Sequence, residues 1–352
     1  MDQTQWPTHE RVAMQRALEL AARGPEADPN PRVGCVLLDA DGATVGEGWH
    51  EGAGTDHAEV MALKAAGPAA RGATAVVTLE PCNHTGRTGP CAQALISAGV
   101  ARVVFSQGDP TAQASGGATT LRSAGVPAQH GLMAQEAAAL NQTWTFAQQT
   151  GRPWVSWKFA ATLDGRSAAV DGTSQWITGE PMRQAMNARR AACGAVVVGT
   201  GTVLSDDPRL TVRGAQDRPV GRQPLRVVVG DRPVPTEARV RGTDGRFRQF
   251  PGGKPREVLQ SLAQQGIHHV WLEGGPALAA AWWRVGVIDE VICCLAPALL
   301  GAGKAAVADL GIGTIADIAR LRLVDVERHG DDLALTLNPT PSNHPATNPK
   351  EK

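Results

Sequence analysis

The sequence predicts an α/β protein of two domains, and three observations carry that prediction. The chain has 352 residues, about twice the length of one average domain. Short apolar runs of strand length alternate along it with stretches of helical spacing. A polar Gly/Pro junction at residues 148–153 separates two such series, as expected where few contacts cross between domains. The expected division is 1–150 and 151–337, with a polar, proline-rich and disordered tail at 338–352.

In the first series, residues 11–23 place Val12, Met14, Ala17, Leu18 and Ala21 near one side of a helix. Pro29 and Pro31 then hold an irregular segment ahead of a strand, and Asp39, Ala40, Asp41 and Gly42 turn the chain into a second strand around residues 44–45. His57 opens a helical run closed by Gly67 and Pro68. Residues 74–79 read as a short buried strand with Pro81 and Cys82 at its carboxyl end, and residues 91–96 as a helix ending near Gly99. Both Pro-Cys pairs, 81–82 and 90–91, are expected where the chain enters a helix. The β-β-α-β-α order so formed continues through a strand at 101–105 and a last helix around 135–145.

In the second series, strand-like runs at 154–160, 195–199, 225–229, 269–272 and 290–295 alternate with helical stretches. Gly274 and Gly275 follow a strand and precede a helix at 276–283, where backbone N–H groups would cradle a phosphate. Alone, such a pair is more often a plain tight turn. Gly199 and Gly201 do not extend to a dinucleotide fingerprint, because Leu204 stands where the third glycine belongs.

Composition narrows the function classes. Lys plus Arg and Asp plus Glu balance at 34 each, so no global basic field draws the chain to nucleic acid. No run approaches the length of a membrane span, and the first residues lack a basic and apolar leader, so the expected location is the cytoplasm. Cys35, Cys193, Cys293 and Cys294 show no disulfide-scaffold spacing, which fits a reducing compartment.

The remaining cysteines carry the chemistry. His57, Cys82 and Cys91 are one imidazole and two thiols, a ligand set suited to Zn2+ that leaves a fourth tetrahedral position open, as catalytic sites do. Taken singly, a histidine is more often a hydrogen-bonded surface residue and a cysteine a small buried hydrophobe. Glu59 raises the functional reading. Two residues apart in a helix, His57 and Glu59 point to opposed faces, which casts Glu59 as a proton carrier rather than a ligand. Zinc hydrolases that deaminate bases combine these parts, although with two residues between the cysteines; here there are eight. Asn30, fixed between prolines, is ordinarily a turn residue, but beside a metal pocket it would offer an amide to a heterocycle edge.

Residues 28–34, 57–59 and 79–91, the last with an internal His84-Thr85-Gly86-Arg87-Thr88, resemble the bifunctional deaminase/reductase family of riboflavin biosynthesis. Asn83 stands where Ser is usual in that family, and Gly89 where Pro is usual. Residues 158–166, 174–178, 199–208, 210–213 and 273–276 are similar to the family's reductase half, and the likeness covers roughly residues 9–337. It implies a cytidine-deaminase-like three-layer N-terminal domain and a dihydrofolate-reductase-like C-terminal domain. It implies Zn2+ and NADPH as cofactors, a phosphorylated pyrimidine as substrate, and a homodimer through the C-terminal domain. It assigns Ala160, Trp176, Thr202, Asp206, Gly275, Pro276, Ala277, Leu278, Ala279, Ala280 and Ala281 to NADPH. It assigns His84, Ser174, Arg190, Leu210, Arg213 and Glu273, with Asn30, to substrate. The chemistry of Arg190 and Arg213 suits this, since a guanidinium grips phosphate oxygens through two donors. Gly230 replaces the family's usual Asp, and residues 230–268 are expected to lack a strand-forming portion, with Arg232, Arg239 or Arg241 substituting at the cofactor.

Two rival readings make different demands. A zinc deaminase of tRNA or nucleosides, with a non-catalytic C-terminal recognition domain, needs a basic, aromatic-bearing surface, whereas this chain has no Tyr and five Phe. A zinc-stabilised scaffold has no use for Glu59 beside an open coordination position.

Overall fold

Residues 6–84, 89–112, 114–214 and 218–340 are described by a computed structural model of the chain. It divides into two units, Met1–Gly151 and Arg152–Lys352. The expected tail beyond residue 340 and the motif residues Thr85, Gly86, Arg87 and Thr88 lie outside the described residues.

The first unit runs α1 (Thr8–Ala21), β1 (Gly34–Leu38), β2 (Thr44–Trp49), α2 (Ala58–Ala66), β3 (Thr74–Leu79), α3 (Cys91–Ala98), β4 (Arg102–Gln107), α4 (Gly117–Ser123), β5 (Ala128–His130), α5 (Ala134–Leu140) and α6 (Gln142–Thr150). Its sheet has the order β2-β1-β3-β4-β5. Strand residues alternate between faces, and both faces are apolar, so the sheet is covered twice. Met14, Ala17 and Leu20 of α1 pack on Val36, Leu38, Val76 and Val104. On the other face, Ala62, Leu95 and Leu121 of α2, α3 and α4 pack on Cys35, Leu37, Val77 and Phe105. This is the three-layer arrangement expected. Each fully buried Leu of these layers contributes about 1.5–3 kcal/mol.

Close approach of α2 depends on glycine. A Cβ at Gly46 would lie 2.4 Å from the carbonyl oxygen of Ala62, and one at Gly48 would lie 2.4 Å from that of Ala58. Only bare backbone lets the helix bearing Glu59 sit this low on β2. The single helix expected at 135–145 is two, α5 and α6, parted at Asn141. The side chain of Asn141 leaves the helical pattern to accept from the N–H of Arg32 (2.9 Å) and donate to its carbonyl (2.8 Å), pinning the segment that carries Asn30.

The second unit runs β6 (Trp154–Thr162), β7 (Arg166–Ala168), α7 (Glu180–Ala191), β8 (Ala195–Gly199), α8 (Thr200–Asp206), β9 (Leu225–Val229), β10 (Phe247–Phe250), α9 (Pro255–Ala263), β11 (His269–Leu272), α10 (Pro276–Arg284), β12 (Glu290–Ala296), β13 (Lys304–Ala305), β14 (Leu321–His329) and β15 (Asp332–Pro339). The main sheet has the order β10-β9-β8-β11-β6-β12-β15-β14. Its first six strands are parallel, while β15 and β14 join antiparallel. One face packs on α9 and α10 through Leu259, Leu262, Trp282 and Trp283; the other packs on α7 through Met182 and Met186.

Residues 230–268 supply β10, paired parallel with β9 from Phe247 to Phe250, and the amphipathic helix α9, which buries Val258, Leu259 and Leu262. β15 also continues to Pro339, into the segment assigned to the tail.

Candidate functional site

His57 is the N-cap of α2, Cys91 is the first residue of α3, and Cys82 lies in the loop that leaves β3. The expectation that Pro81-Cys82 enters a helix is therefore corrected, but Cys82 reaches a helix N-terminus through space. Its sulfur accepts from the Cys91 N–H at 3.4 Å, and its carbonyl accepts from Ala92 at 3.2 Å. The loop is bolted down on its far side. Glu80 accepts from Gly116 (3.2 Å), Ala118 (3.0 Å) and Asp109 (3.3 Å), and Asn83 donates to Ala114 at 3.0 Å.

Nδ1 of His57 stands 3.2 Å from Sγ of Cys91 and 3.5 Å from Sγ of Cys82. Ligand atoms held at about 2.0–2.3 Å from one tetrahedral zinc are about 3.5–3.8 Å apart, so the trio fits that ion. It is the one such cluster among the described residues. The neighbouring Cys91 and His57 hold the Cys82 thiol well below its ordinary range, while Cys82 and burial push the Cys91 thiol up. A bound dication would take both as thiolates.

Glu59 is 3% exposed, in the first turn of α2. Burial raises its carboxyl to about 6, in the range where a group both takes and gives protons near neutral pH. Asn30 is brought to the same neighbourhood through His50, a residue that motif reading passed over. Nδ1 of His50 lies 3.0 Å from the carbonyl oxygen of Asp56, which only accepts, so Nδ1 carries the proton. Nε2 then accepts from Nδ2 of Asn30 at 3.0 Å. The amide oxygen of Asn30 is left for a ligand, and the His50 ring packs edge-on against His57 at 5.4 Å. His84 is exposed on the loop after Cys82.

The second unit has a cleft of about 1560 Å³ at the carboxyl ends of the parallel strands, where open α/β sheets bind ligands. Ala160, Ser174, Trp176, Arg190, Thr202, Asp206, Arg213, Glu273, Gly275, Pro276, Ala277, Leu278 and Ala281 all line it. Leu210, Ala279 and Ala280 do not; they are 6%, 0% and 2% exposed and belong to the core. The reason is helical periodicity: residues 277, 278 and 281 of α10 share one face, and 279 and 280 turn to the sheet. Leu210 adopts a left-handed backbone (φ 54°) that starts the turn into Thr211 and Arg213.

Charge in this cleft centres on Glu273. Arg190 approaches it at 2.5 Å and Lys158 at 3.4 Å, and Nε1 of Trp271 donates to it at 3.2 Å. Burial alone would raise this carboxyl, but the two cations hold it at about 2. Arg190 also donates to the carbonyl of Thr211 at 3.1 Å, and Asn187 clamps the backbone of Arg213 from both sides. Lys158 and Asn187 were not singled out from the sequence. Lys158 stands in strand β6, where a lone inward lysine was the available signal.

A zinc-type site with a buried acid on one unit and a ligand cleft along a parallel sheet on the other define a deaminase joined to an α/β reductase. Comparison with known proteins agrees. Residues 7–107 match the cytidine and deoxycytidylate deaminase zinc-binding region, and residues 153–335 match the RibD C-terminal domain. The riboflavin biosynthesis protein RibD of Mycobacterium tuberculosis is 48% identical over 310 residues, covering 88% of this chain and 91% of that protein. The RibD protein of Escherichia coli is 42% identical, covering 92% and 98%. The solved structure of Acinetobacter baumannii RibD superposes with a TM-score of 0.88 at 40% identity, covering 94% and 99%.

The chain belongs to the RibD family. It is a bifunctional enzyme of riboflavin biosynthesis, with a zinc-binding, cytidine-deaminase-like N-terminal domain and an NADPH-dependent reductase domain of dihydrofolate-reductase-like fold. No helix among the described residues is long and apolar enough to cross a membrane.

Proposed function

We propose that residues 1–150 hydrolytically remove the pyrimidine 2-amino group of 2,5-diamino-6-ribosylamino-4(3H)-pyrimidinone 5′-phosphate, and that residues 151–337 then reduce the ribosyl group of the product to ribityl with NADPH. The observation that carries this reading is Glu59, buried beside three ligand atoms that fit one zinc. His57, Cys82 and Cys91 would hold the ion, which supplies a bound water of pKa about 7 in place of about 15.7. Glu59 takes one proton from the attacking water and delivers it to a ring nitrogen; as the new carbonyl forms and the C–N bond breaks, it takes the remaining hydroxyl proton and delivers it to the amino group, which leaves as ammonia. The oxygen of Asn30, aimed by His50, accepts from an N–H on the pyrimidine edge, and His84 contributes from the loop after Cys82.

In the second unit, Arg190 and Arg213 hold the phosphate of the substrate and Ser174 and Glu273 its ribosyl part, while Leu210 acts only from the core, by turning the chain into Thr211 and Arg213. Lys158 stands in the same charged group and supplies an ammonium there. Ala160, Trp176, Thr202, Asp206 and residues 275–281 form the NADPH side, with Ala279 and Ala280 acting from behind the wall. NADPH supplies the hydride; these residues set its position against the sugar carbon, where misplacement by 1 Å costs on the order of 10²-fold in rate.

The protein works in the cytoplasm as a homodimer through the second unit. The edge strand β14 favours this, since Leu323, Val324 and Val326 are 55%, 49% and 48% exposed, and an apolar unpaired edge invites a partner. Sedimentation of the purified chain tests the dimer, a monomer at micromolar concentration refuting it. Ammonia release from the diaminopyrimidine by the zinc-loaded protein, with NADPH left out, tests the first step. Release from cytidine or tRNA instead would favour the rival deaminase.

A further inference from the structure

We propose that Arg232 reads the 2′-phosphate of the cofactor and thereby sets the preference for NADPH over NADH. This rests on the assignment of the second unit's cleft to NADPH. The charges that face substrate, Lys158 and Glu273, stand on β6 and at the end of β11. Sheet order runs β6, β11, β8, β9, so at about 4.8 Å per strand the carboxyl end of β9 lies about 14 Å from that of β6. Hydride transfer fixes the nicotinamide against the substrate. The adenosine half then extends under β8 and β9, into the limb of the cleft walled by the turns after β8, β9 and β10.

Arg232 is the cation of that limb among the described residues. Its turn is built to hold it there. Gly230 has φ 135°, and a Cβ on it would lie 2.6 Å from Oγ1 of Thr200, so the turn presses on the start of α8 only because this residue is glycine. Nε2 of Gln249, on β10, donates to the carbonyls of Gly230 (3.0 Å) and Arg232 (2.8 Å). The guanidinium lies over Gly201, where an added Cβ would meet Nη2 at 3.2 Å. It has no ion-pair partner among the described residues. Two neighbouring arginines are excluded by geometry. Arg241 is committed to the carbonyls of Pro235 and Val234, both at 2.8 Å, and stacks over Phe247 at 4.8 Å; Arg239 does not line the cleft. A free guanidinium at the adenosine end is the group that accommodates a 2′-phosphate, through two parallel charge-assisted donors.

The test is calorimetric titration of NADP+ and NAD+ into the full chain and two exposed-site variants, Arg232→Gln and Arg239→Gln. Arg232→Gln is expected to weaken NADP+ by about 10- to 100-fold, the range for hydrogen bonds to a charged group, and to leave NAD+ as it is in the unaltered chain. Arg239→Gln is expected to change neither. Equal weakening of both cofactors by Arg232→Gln, no weakening of either, or the same selective loss from Arg239→Gln would overturn the role of Arg232. An unaltered chain that binds no NADP+ would instead overturn the cofactor assignment on which the inference rests.

Discussion

Replacing Glu59 by Gln isolates the proton carrier from the metal. The amide has the shape of the carboxylate it replaces, and Glu59 is not among the three atoms that fit zinc, so the metal is retained. Its site is 3% exposed and the carboxyl titrates at about 6, so no bulk buffer reaches the reacting atoms to substitute for it. General acid-base catalysis is worth about 10²–10⁴-fold, and at 1.36 kcal/mol per tenfold this is about 3–5 kcal/mol of barrier. In the proposed mechanism one carboxyl serves successive transfers, which places the expected loss at the upper end. The assay is ammonia release by protein whose zinc content has been measured at one ion per chain. Zinc-loaded Glu59→Gln that retains a tenth or more of normal ammonia release would refute the role of Glu59, because no other acid among the described residues shares its position.

Cys82→Ser and Cys91→Ser are expected to lose zinc itself, which elemental analysis after dialysis reads directly; a tightly bound ion in either variant means the ligands are misassigned. Gly48→Val pushes α2 off β2, because its Cβ falls 2.4 Å from the Ala58 carbonyl; a loss of at least about 1–3 kcal/mol in denaturant stability is expected, together with weakened zinc affinity, and unchanged values would refute the packing argument. Glu273→Gln leaves Arg190 and Lys158 facing each other, so reduction should fall by tenfold or more while ammonia release is kept; parallel loss of both activities would point to general unfolding. The same residue sets an acid limit. Its folded pKa of about 2 lies below the ordinary 4.5, so it contributes stability above about pH 4.5 that is lost as pH falls toward 2, on the order of 3 kcal/mol. Thermal unfolding of Glu273→Gln against the unaltered chain from pH 6 to pH 3 should show the difference narrowing; a constant difference would contradict it.

The zinc cluster was legible because each ligand is announced locally: His57 ahead of a helical run, Cys82 after a buried strand, Cys91 after a proline. His50 was not, because its role consists of two bonds to residues 6 and 20 positions away and nothing in its own neighbourhood marks it. Lys158 was hidden for a similar reason: its partner Glu273 is 115 residues away. β14 and β10 escaped notice because edge strands are half exposed and carry arginine and glutamine among their apolar residues, which blurs the alternation that marks buried strands. The break at Asn141 is a tertiary effect, in which a side chain leaves a helical pattern to satisfy the backbone of Arg32.

One measurement bears most directly on the central claim. The full chain is loaded with zinc and given NADPH and the diaminopyrimidine ribosyl phosphate, and ammonia and NADPH are followed in the same reaction. The expected result is one ammonia released and one NADPH oxidised per substrate, with ammonia appearing first and NADPH oxidation abolished in Glu59→Gln until deaminated product is added. Ammonia released with no NADPH consumed, or NADPH oxidised on the undeaminated substrate, would contradict it.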